Sequence, residues 1–419
     1  MTEDRRPFPM VDGQMRCGPQ PVRDLAERYG TPLYLYDFDF VRRRVREFQE
    51  AFSQVGLLLA YSVKANGNLG ILSRLASLGV GADIVSGGEL YRARRAGIQP
   101  GKILFAGVGK TDQELKEGLD AGIYSFNVET VGELHRLEAL ARERGGRASF
   151  GIRVNPDILS PTPHEYTRTG HAESKFGLPV PAAVGLYRWA ATRPHLNPRG
   201  IDVHIGSQIV EPKPYKKALR SILEIVHLLK KEDIHLKYLD LGGGFGVPYQ
   251  GEEMDIQGLA EAVVPLVKET DLKLILEPGR SIMGEAGTLV TRVLSVKKSG
   301  EKTFVITDAG MTDLIRPSHY GGYHPIRPVE EKANRERKKV DVVGPICESG
   351  DFLARDRELP MPKGGELLAV GIAGAYGFTM ASNYNARPRP PEVMVDQGEV
   401  HLIRDRESYE DLVRGEVLP

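Results

Sequence analysis

Between about residue 36 and residue 280, short apolar runs alternate with segments of helical period. Runs rich in β-branched and aromatic residues at 57–63, 81–85, 103–106, 124–128, 148–154, 201–205, 237–241 and 272–277 read as strands. Between such runs the period lengthens. Val41, Val45, Phe48 and Phe52 share one helix face, and Ala218, Ile222, Ile225 and Leu229 share another. Three helices open on a hydroxyl followed three residues later by a glutamate: Ser86 with Glu89, Thr111 with Glu114, and Thr130 with Glu133. In such a capping box each side chain satisfies an otherwise orphaned backbone N–H. Strands and helices alternating eight times predict a parallel (β/α)8, TIM-like barrel, with a doubly wound open sheet as the rival pattern.

After about residue 285 the period changes. Runs at 289–296, 303–308, 340–346, 366–373, 392–396 and 399–403 are strand-like, and Asp396-Gln397-Gly398 reads as a hairpin turn. We therefore expect an α/β barrel at 36–280 and a second, mostly β domain made of 1–35 with 281–419. The stretch from Asn155 to Pro181 is too long for an ordinary barrel connection. It holds His164, Tyr166, Thr169, Gly170, Lys175, Phe176 and Gly177, a mixture that favours a functional loop.

Composition narrows the class. The 419 residues are 41% hydrophobic and 27% charged with zero formal net charge, so a globular protein is expected, with no general attraction to nucleic acid or anionic lipid. Arg42-Arg43-Arg44 reads as the wet face of a helix, and Arg335 to Lys339 as a solvated loop. Two cysteines, Cys17 and Cys347, imply no disulfide framework. The start, Met1 to Met10, lacks the apolar core of a signal peptide, and no apolar run is long enough to span a bilayer. The expected location is the cytoplasm.

The reactive residues fall where a barrel would use them, at the C-terminal ends of strands. Lys64 follows the first predicted strand, and Asp83 and Ser86 close the second. Arg153 and Asn155 close the fifth, His204 and Ser207 the sixth. Gly242-Gly243-Gly244 follows the seventh, and Glu277-Pro278-Gly279-Arg280 the eighth. Taken singly, each has a plainer reading: a surface lysine, a core histidine, a tight turn, an internal ion pair. Their convergence carries the argument. A lysine amine suits an aldehyde cofactor as its Schiff-base partner. Glycine N–H groups with Ser207 suit a phosphate, and His204 offers a flat ring. A carboxylate at Glu277 suits a protonated pyridine nitrogen through a charge-assisted hydrogen bond of about 1.5–3 kcal/mol.

The segments Tyr61-Ser-Val-Lys-Ala-Asn66, His204-Ile-Gly-Ser-Gln208, Gly242-Gly-Gly-Phe-Gly246, Glu277-Pro-Gly-Arg280, Cys347-Glu-Ser-Gly-Asp351 and Gly374-Ala-Tyr-Gly377 complete the picture. Together they resemble the signature of the diaminopimelate decarboxylase family, among the fold-type III pyridoxal-phosphate decarboxylases related to alanine racemase. The resemblance runs from about residue 20 to residue 410. Thr169-Gly170, Ser174-Lys-Phe-Gly177 and Ile315-Arg-Pro-Ser318 are the more specific to this branch. It implies pyridoxal 5'-phosphate on Lys64, with Asp83, Arg153, His204, Ser207, Gly242, Gly243, Gly244, Glu277, Pro278, Gly279, Arg280 and Tyr376 around it. His204 would stack on the ring and Glu277 face its nitrogen. Arg280, Arg316, Tyr320 and Tyr376 would hold the substrate, with Glu348 at its distal end. Cys347 would return the proton after carbon dioxide leaves. Cys347 and Glu348 would come from the partner subunit of a homodimer with shared active sites. One departure is visible, Pro163-His164-Glu165-Tyr166, in the long connection. No metal site is expected.

Within this fold, alanine racemases oppose the pyridine nitrogen with arginine, whereas Glu277 suits a full electron sink and hence decarboxylation. A substrate with an amino acid at its far end needs distal cations and an anion, which Arg280, Arg316 and Glu348 provide. The expected reaction is meso-2,6-diaminopimelate to L-lysine and carbon dioxide. The alternatives are a decarboxylase of carboxynorspermidine, ornithine or arginine, and a non-catalytic homologue.

Overall fold

The computed structural model describes residues 6–155 and 175–419. They form two compact units, Arg44–Val247 with Glu252–Ser281, and Met1–Arg43 with Pro248–Gly251 and Ile282–Pro419. The sequence pattern set its cuts at residues 36 and 280; the units divide within the helix Phe38–Ala51 and at Ser281.

The first unit is a closed parallel barrel. Its strands are Leu57–Ser62, Gly81–Ile84, Ile103–Phe105, Ser125–Val128, Ala148–Asn155, Leu196–Asp202, Tyr238–Asp240 and Lys273–Leu276. Each pairs in parallel with the next, and Leu276 pairs back to Leu59, which closes the ring and excludes the open-sheet rival. The sixth strand ends at Asp202, earlier than expected, so His204 lies in the irregular segment beyond it. Tyr238 fills the barrel centre, its hydroxyl donating to Ser125 Oγ at 2.7 Å, and a Cβ at Gly200 would stand 2.0 Å from its ring. Bulk on one strand thus fixes a glycine on its neighbour.

All three hydroxyls cap their helices as expected, but the glutamates do not all reciprocate at the cap residue. Thr111 and Glu114 form the full box. Glu89 instead takes the N–H of Val85 and Glu133 that of Glu129, one residue further back. The arginine cluster is a correction. Arg44 is only 2% exposed, with Nε donating to the Ser281 carbonyl at 3.1 Å and a terminal nitrogen to Glu47 at 2.7 Å. Three consecutive residues sweep about 200–300° of a helix, so they cannot all share its wet face.

In the second unit the long strand Gly287–Ser299 pairs antiparallel with Leu33–Asp37, Lys302–Thr307 and Leu367–Val370. Glu392–Asp396 and Glu399–Arg404 form the expected hairpin, with Gln397 and Gly398 both at positive φ, as a two-residue turn requires. Cys17, Leu25, Leu35, Val290, Ala369 and Val393 lie in its core. Two readings change here. Arg337 to Lys339 belong to the strand Arg337–Val343 rather than to a loop. The sequence pattern also missed Phe352–Pro360, whose central Arg355, Asp356, Arg357 and Glu358 hide any alternation. It is an edge strand, where charge discourages further pairing.

Candidate active site

At the barrel mouth the backbone places each predicted residue on a strand end or the turn after it. Lys64 sits in the short turn Val63–Ala65, with its side chain 40% exposed and Nζ 2.7 Å from Asp83 Oδ2. Asp83 is fully buried; the same oxygen also accepts the Ser62 hydroxyl at 2.9 Å. Ser62 Oγ in turn lies 3.0 Å from the Glu277 carbonyl, which ties the first strand to the last. Arg153 donates to Glu129 at 3.1 Å, and the Phe176 ring lies 4.8 Å from its guanidinium. Glu129 also accepts the Gly177 N–H at 3.0 Å, so the described end of the long connection is drawn to this mouth. The rest of that connection, including His164, Tyr166, Thr169, Gly170 and the departure at 163–166, lies outside the described residues.

The glycine run is shaped by close packing. A Cβ at Gly242 would stand 2.5 Å from His204 Nδ1, and Gly242 has φ +65°, which favours glycine in any case. At Gly243 a Cβ would meet the Glu277 carbonyl at 2.2 Å, and at Gly244 the Gly206 carbonyl at 2.1 Å. Gly243 N–H donates to His204 Nδ1 at 3.2 Å, so that nitrogen carries no proton. Burial, then the Arg153 and Lys64 charges, push His204 well below the usual imidazole range, and the ring is neutral at pH 7. Arg280 donates to Ser207 Oγ at 3.3 Å, while the Pro278 carbonyl accepts the Ser62 N–H and Gly279 packs on Ser62 and Ala65.

Glu277 is 6% exposed, and its Oε1 has no hydrogen-bond partner among the described residues. Burial, then the charges of Asp240, Asp83 and Asp202, drive its carboxyl well above the usual range, with Lys64 opposing. The sequence reading missed Glu129, Asp202 and Asp240, all buried here. A signal existed: Asp202 and Asp240 are single acids inside apolar runs, Gly-Ile-Asp-Val and Tyr-Leu-Asp-Leu, where an acid is rare unless paired.

The remaining candidates lie in the second unit. Arg316 donates to His324 Nε2 at 2.7 Å, and its guanidinium carbon lies 4.7 Å from the Tyr249 ring. Tyr320 closes the same short helix, Arg316–Tyr320. Cys347 and Glu348 are exposed on a loop held by Asp351, which accepts the N–H groups of Met311 at 2.6 Å and Ile346 at 2.7 Å. Ser318 Oγ donates to the Gly350 carbonyl at 2.7 Å, binding the Ile315–Ser318 motif to the Cys347 loop. Tyr376 sits at φ +58°, a strained conformation for tyrosine.

These residues fit a pyridine aldehyde carrying a phosphate. An unpartnered buried carboxylate oxygen, a partly exposed lysine amine and a run of glycine backbone stand at one barrel mouth. Barrel and site define the class, and residues 38–284 match the family model described as pyridoxal-dependent decarboxylase, pyridoxal binding domain. The chain is 48% identical to a diaminopimelate decarboxylase of Aquifex aeolicus over 96% of its own length and 95% of the relative's. It is 45% identical to that of Vibrio cholerae, with 96% of each covered. A Helicobacter pylori diaminopimelate decarboxylase solved with L-lysine superposes at a TM-score of 0.91, with 41% identity over 94% of this chain and 98% of that one. The chain belongs to the diaminopimelate decarboxylase family. Among its described residues no helix is long and apolar enough to cross a membrane.

Proposed function

We propose that the chain decarboxylates meso-2,6-diaminopimelate to L-lysine and carbon dioxide with pyridoxal 5'-phosphate held on Lys64. The observation that carries this reading is Glu277: a buried carboxylate with one oxygen unpartnered among the described residues, at the mouth that also holds Lys64. When bound, the cofactor supplies an electron sink for the pair released as the carboxylate leaves. Glu277 would hold a proton at its ring nitrogen, and His204, neutral and fixed by Gly243, would offer its flat face to the ring. The loop Gly242-Gly243-Gly244, whose first two N–H groups are held by Asp240 and His204, would turn the Gly244 N–H with Ser207 and Arg280 to the phosphate, and Pro278 and Gly279 keep Glu277 and Arg280 in register with the first strand. Asp83 orients the Lys64 amine by the 2.7 Å contact, and Arg153 holds Glu129 beneath the long connection.

Arg316, fixed by His324, takes a substrate carboxylate together with Arg280 and Tyr320, and Tyr376 contacts phosphate and substrate. Cys347 gives the proton to the substrate carbon, and Glu348 takes the distal ammonium. We infer that these two come from a second copy of the chain in a two-fold dimer. Their exposure on a loop fixed by Asp351 supports this, since such a loop can be presented outward without refolding. An isologous interface then yields two equivalent sites. The cytoplasm, where free amino acids are made and used, suits the reaction.

The test is direct. Purified protein given pyridoxal phosphate and meso-diaminopimelate should release carbon dioxide and lysine in equal amounts. Borohydride reduction followed by peptide mapping should place the cofactor on Lys64. Turnover of ornithine, arginine or carboxynorspermidine in preference to diaminopimelate would overturn the substrate, and a label on another lysine the site.

A further inference from the structure

The barrel mouth holds more buried acid than the chemistry above uses. Asp83, Glu129, Asp202, Asp240 and Glu277 are each 6% exposed or less. Lys64 is spent on Asp83 at 2.7 Å and Arg153 on Glu129 at 3.1 Å, while Arg153 approaches Asp202 only to 4.0 Å. Arg280, just after the eighth strand, reaches to Ser207. His204 is neutral and adds no charge. Carboxylate oxygens of Asp202, Asp240 and Glu277 nevertheless lie within 4.8 Å of one another. Three carboxylates so close and so dry do not all ionise at neutral pH.

The partners say where the proton rests. Asp240 accepts on both oxygens, from the Gly242 N–H at 2.9 Å and from Asn127 Nδ2 at 3.4 Å, so it behaves as an anion. An oxygen of Glu277 lies within 4.8 Å of one of Asp240's, near enough in this dry site for the Asp240 charge to hold a proton on Glu277. Glu277 Oε1 and Asp202 Oδ1 both meet no donor among the described residues, but Asp202 has the Arg153 guanidinium at 4.0 Å to favour its charge, so the proton falls to Glu277. The upward drive on Glu277 from burial and from Asp240 agrees with this arrangement.

We propose that Asp240 is a positioning residue whose charge keeps a proton on Glu277 in the cofactor-free protein, and that this proton passes to the ring nitrogen when the cofactor binds. The inference rests on the assignment of Glu277 to that nitrogen made above. In the transfer the Glu277 O–H bond breaks and an N–H bond forms on the ring. A neutral acid and a neutral ring nitrogen become a carboxylate and a pyridinium, and charge is conserved. Asp240 touches neither the ring nor the substrate. It makes the neutral form of Glu277 the resting form, so the proton that the ring requires is already in place.

Infrared spectroscopy reads this without turnover. Cofactor-free wild-type protein at pH 7 should show a deuterium-sensitive carboxylic-acid carbonyl band that vanishes on loading with pyridoxal phosphate. Glu277→Gln should abolish the band. Asp240→Asn keeps an oxygen for the Gly242 N–H, so it removes charge and leaves the loop its hydrogen bond. Its band should titrate at least one pH unit lower than in the wild type. Absence of the band from cofactor-free wild type would overturn the proposal without any variant having to fold. Its persistence in Glu277→Gln would put the proton elsewhere, Asp202 being the neighbour left, and would also overturn it. An unchanged midpoint in Asp240→Asn would remove Asp240 from the role. A band lost in Glu277→Gln yet surviving cofactor loading would leave the stored proton intact and refute instead the placement of Glu277 at the ring nitrogen.

Discussion

Gly243→Ala tests whether the glycine run works as packed backbone. Gly243 lies outside the left-handed region, so alanine meets no torsional penalty there, and the effect is steric alone. Its Cβ would stand 2.2 Å from the Glu277 carbonyl oxygen. Relief requires the loop or the eighth strand end to retreat by roughly 1 Å, and overpacking of this kind costs about 1–3 kcal/mol. Three hydrogen bonds converge on the segment that must move: Glu277 N–H to Gly242 O at 2.8 Å, Tyr215 OH to Gly243 O at 2.8 Å, and Gly243 N–H to His204 Nδ1 at 3.2 Å. Losing one adds about 0.5–1.5 kcal/mol. The sum, about 2–4 kcal/mol, lowers the melting temperature by several degrees without unfolding the chain. If the loop takes the displacement, one charge-assisted contact to the phosphate goes with it. At about 1.5–3 kcal/mol, cofactor affinity then falls by about 10- to 150-fold. Titration of the cofactor-free variant by absorbance gives the affinity, and calorimetry the stability. Gly132→Ala is the control: a Cβ there meets nothing within 4 Å, so it should be neutral or slightly stabilising. Wild-type affinity and melting temperature in Gly243→Ala would refute the packing argument.

Two other outcomes are expected. If sites are shared between subunits, Lys64→Ala and Cys347→Ala chains are each nearly inactive, and an equal mixture that exchanges freely regains about a quarter of wild-type activity; heterodimers without activity would show each site to be built from one chain. In the second unit, burial acts to raise Glu407, but hydrogen bonds from Arg389 and Asn383 prevail and hold it at about 2. A carboxylate depressed in the folded state stabilises above its unfolded pKa and loses that contribution as pH falls towards the folded value. Glu407→Gln should therefore melt earlier than wild type at pH 7, with the gap closing between about pH 4.5 and pH 2; a gap independent of pH would deny the ionic origin.

The barrel was legible because its signal is periodic. Apolar runs such as Leu57–Ser62 and Lys273–Leu276 are buried on both faces, and alternation with helices leaves few ways to connect parallel strands. The positions of Lys64, His204, Gly242 to Gly244 and Glu277 followed from the same pattern, since each sits at or just after a strand end. The hairpin at Gln397-Gly398 was equally local, set by backbone angles that few residues accept.

What tertiary structure decided was the partner of each charge. Arg44 reads as solvated until Ser281, distant in sequence, presents a carbonyl to it. Phe352–Pro360 carries no pattern because an edge strand needs only one neighbour, and Asp351 reveals its role only when Met311 and Ile346 turn their N–H groups to it. Asp202 and Asp240 are each the last residue of a strand, where a lone acid could as well face water. Closure of the barrel gathers their oxygens and that of Glu277 within 4.8 Å, away from solvent. A side chain's type is written in the sequence, but its protonation depends on charge and dielectric within a few ångströms, and only the closed fold sets those.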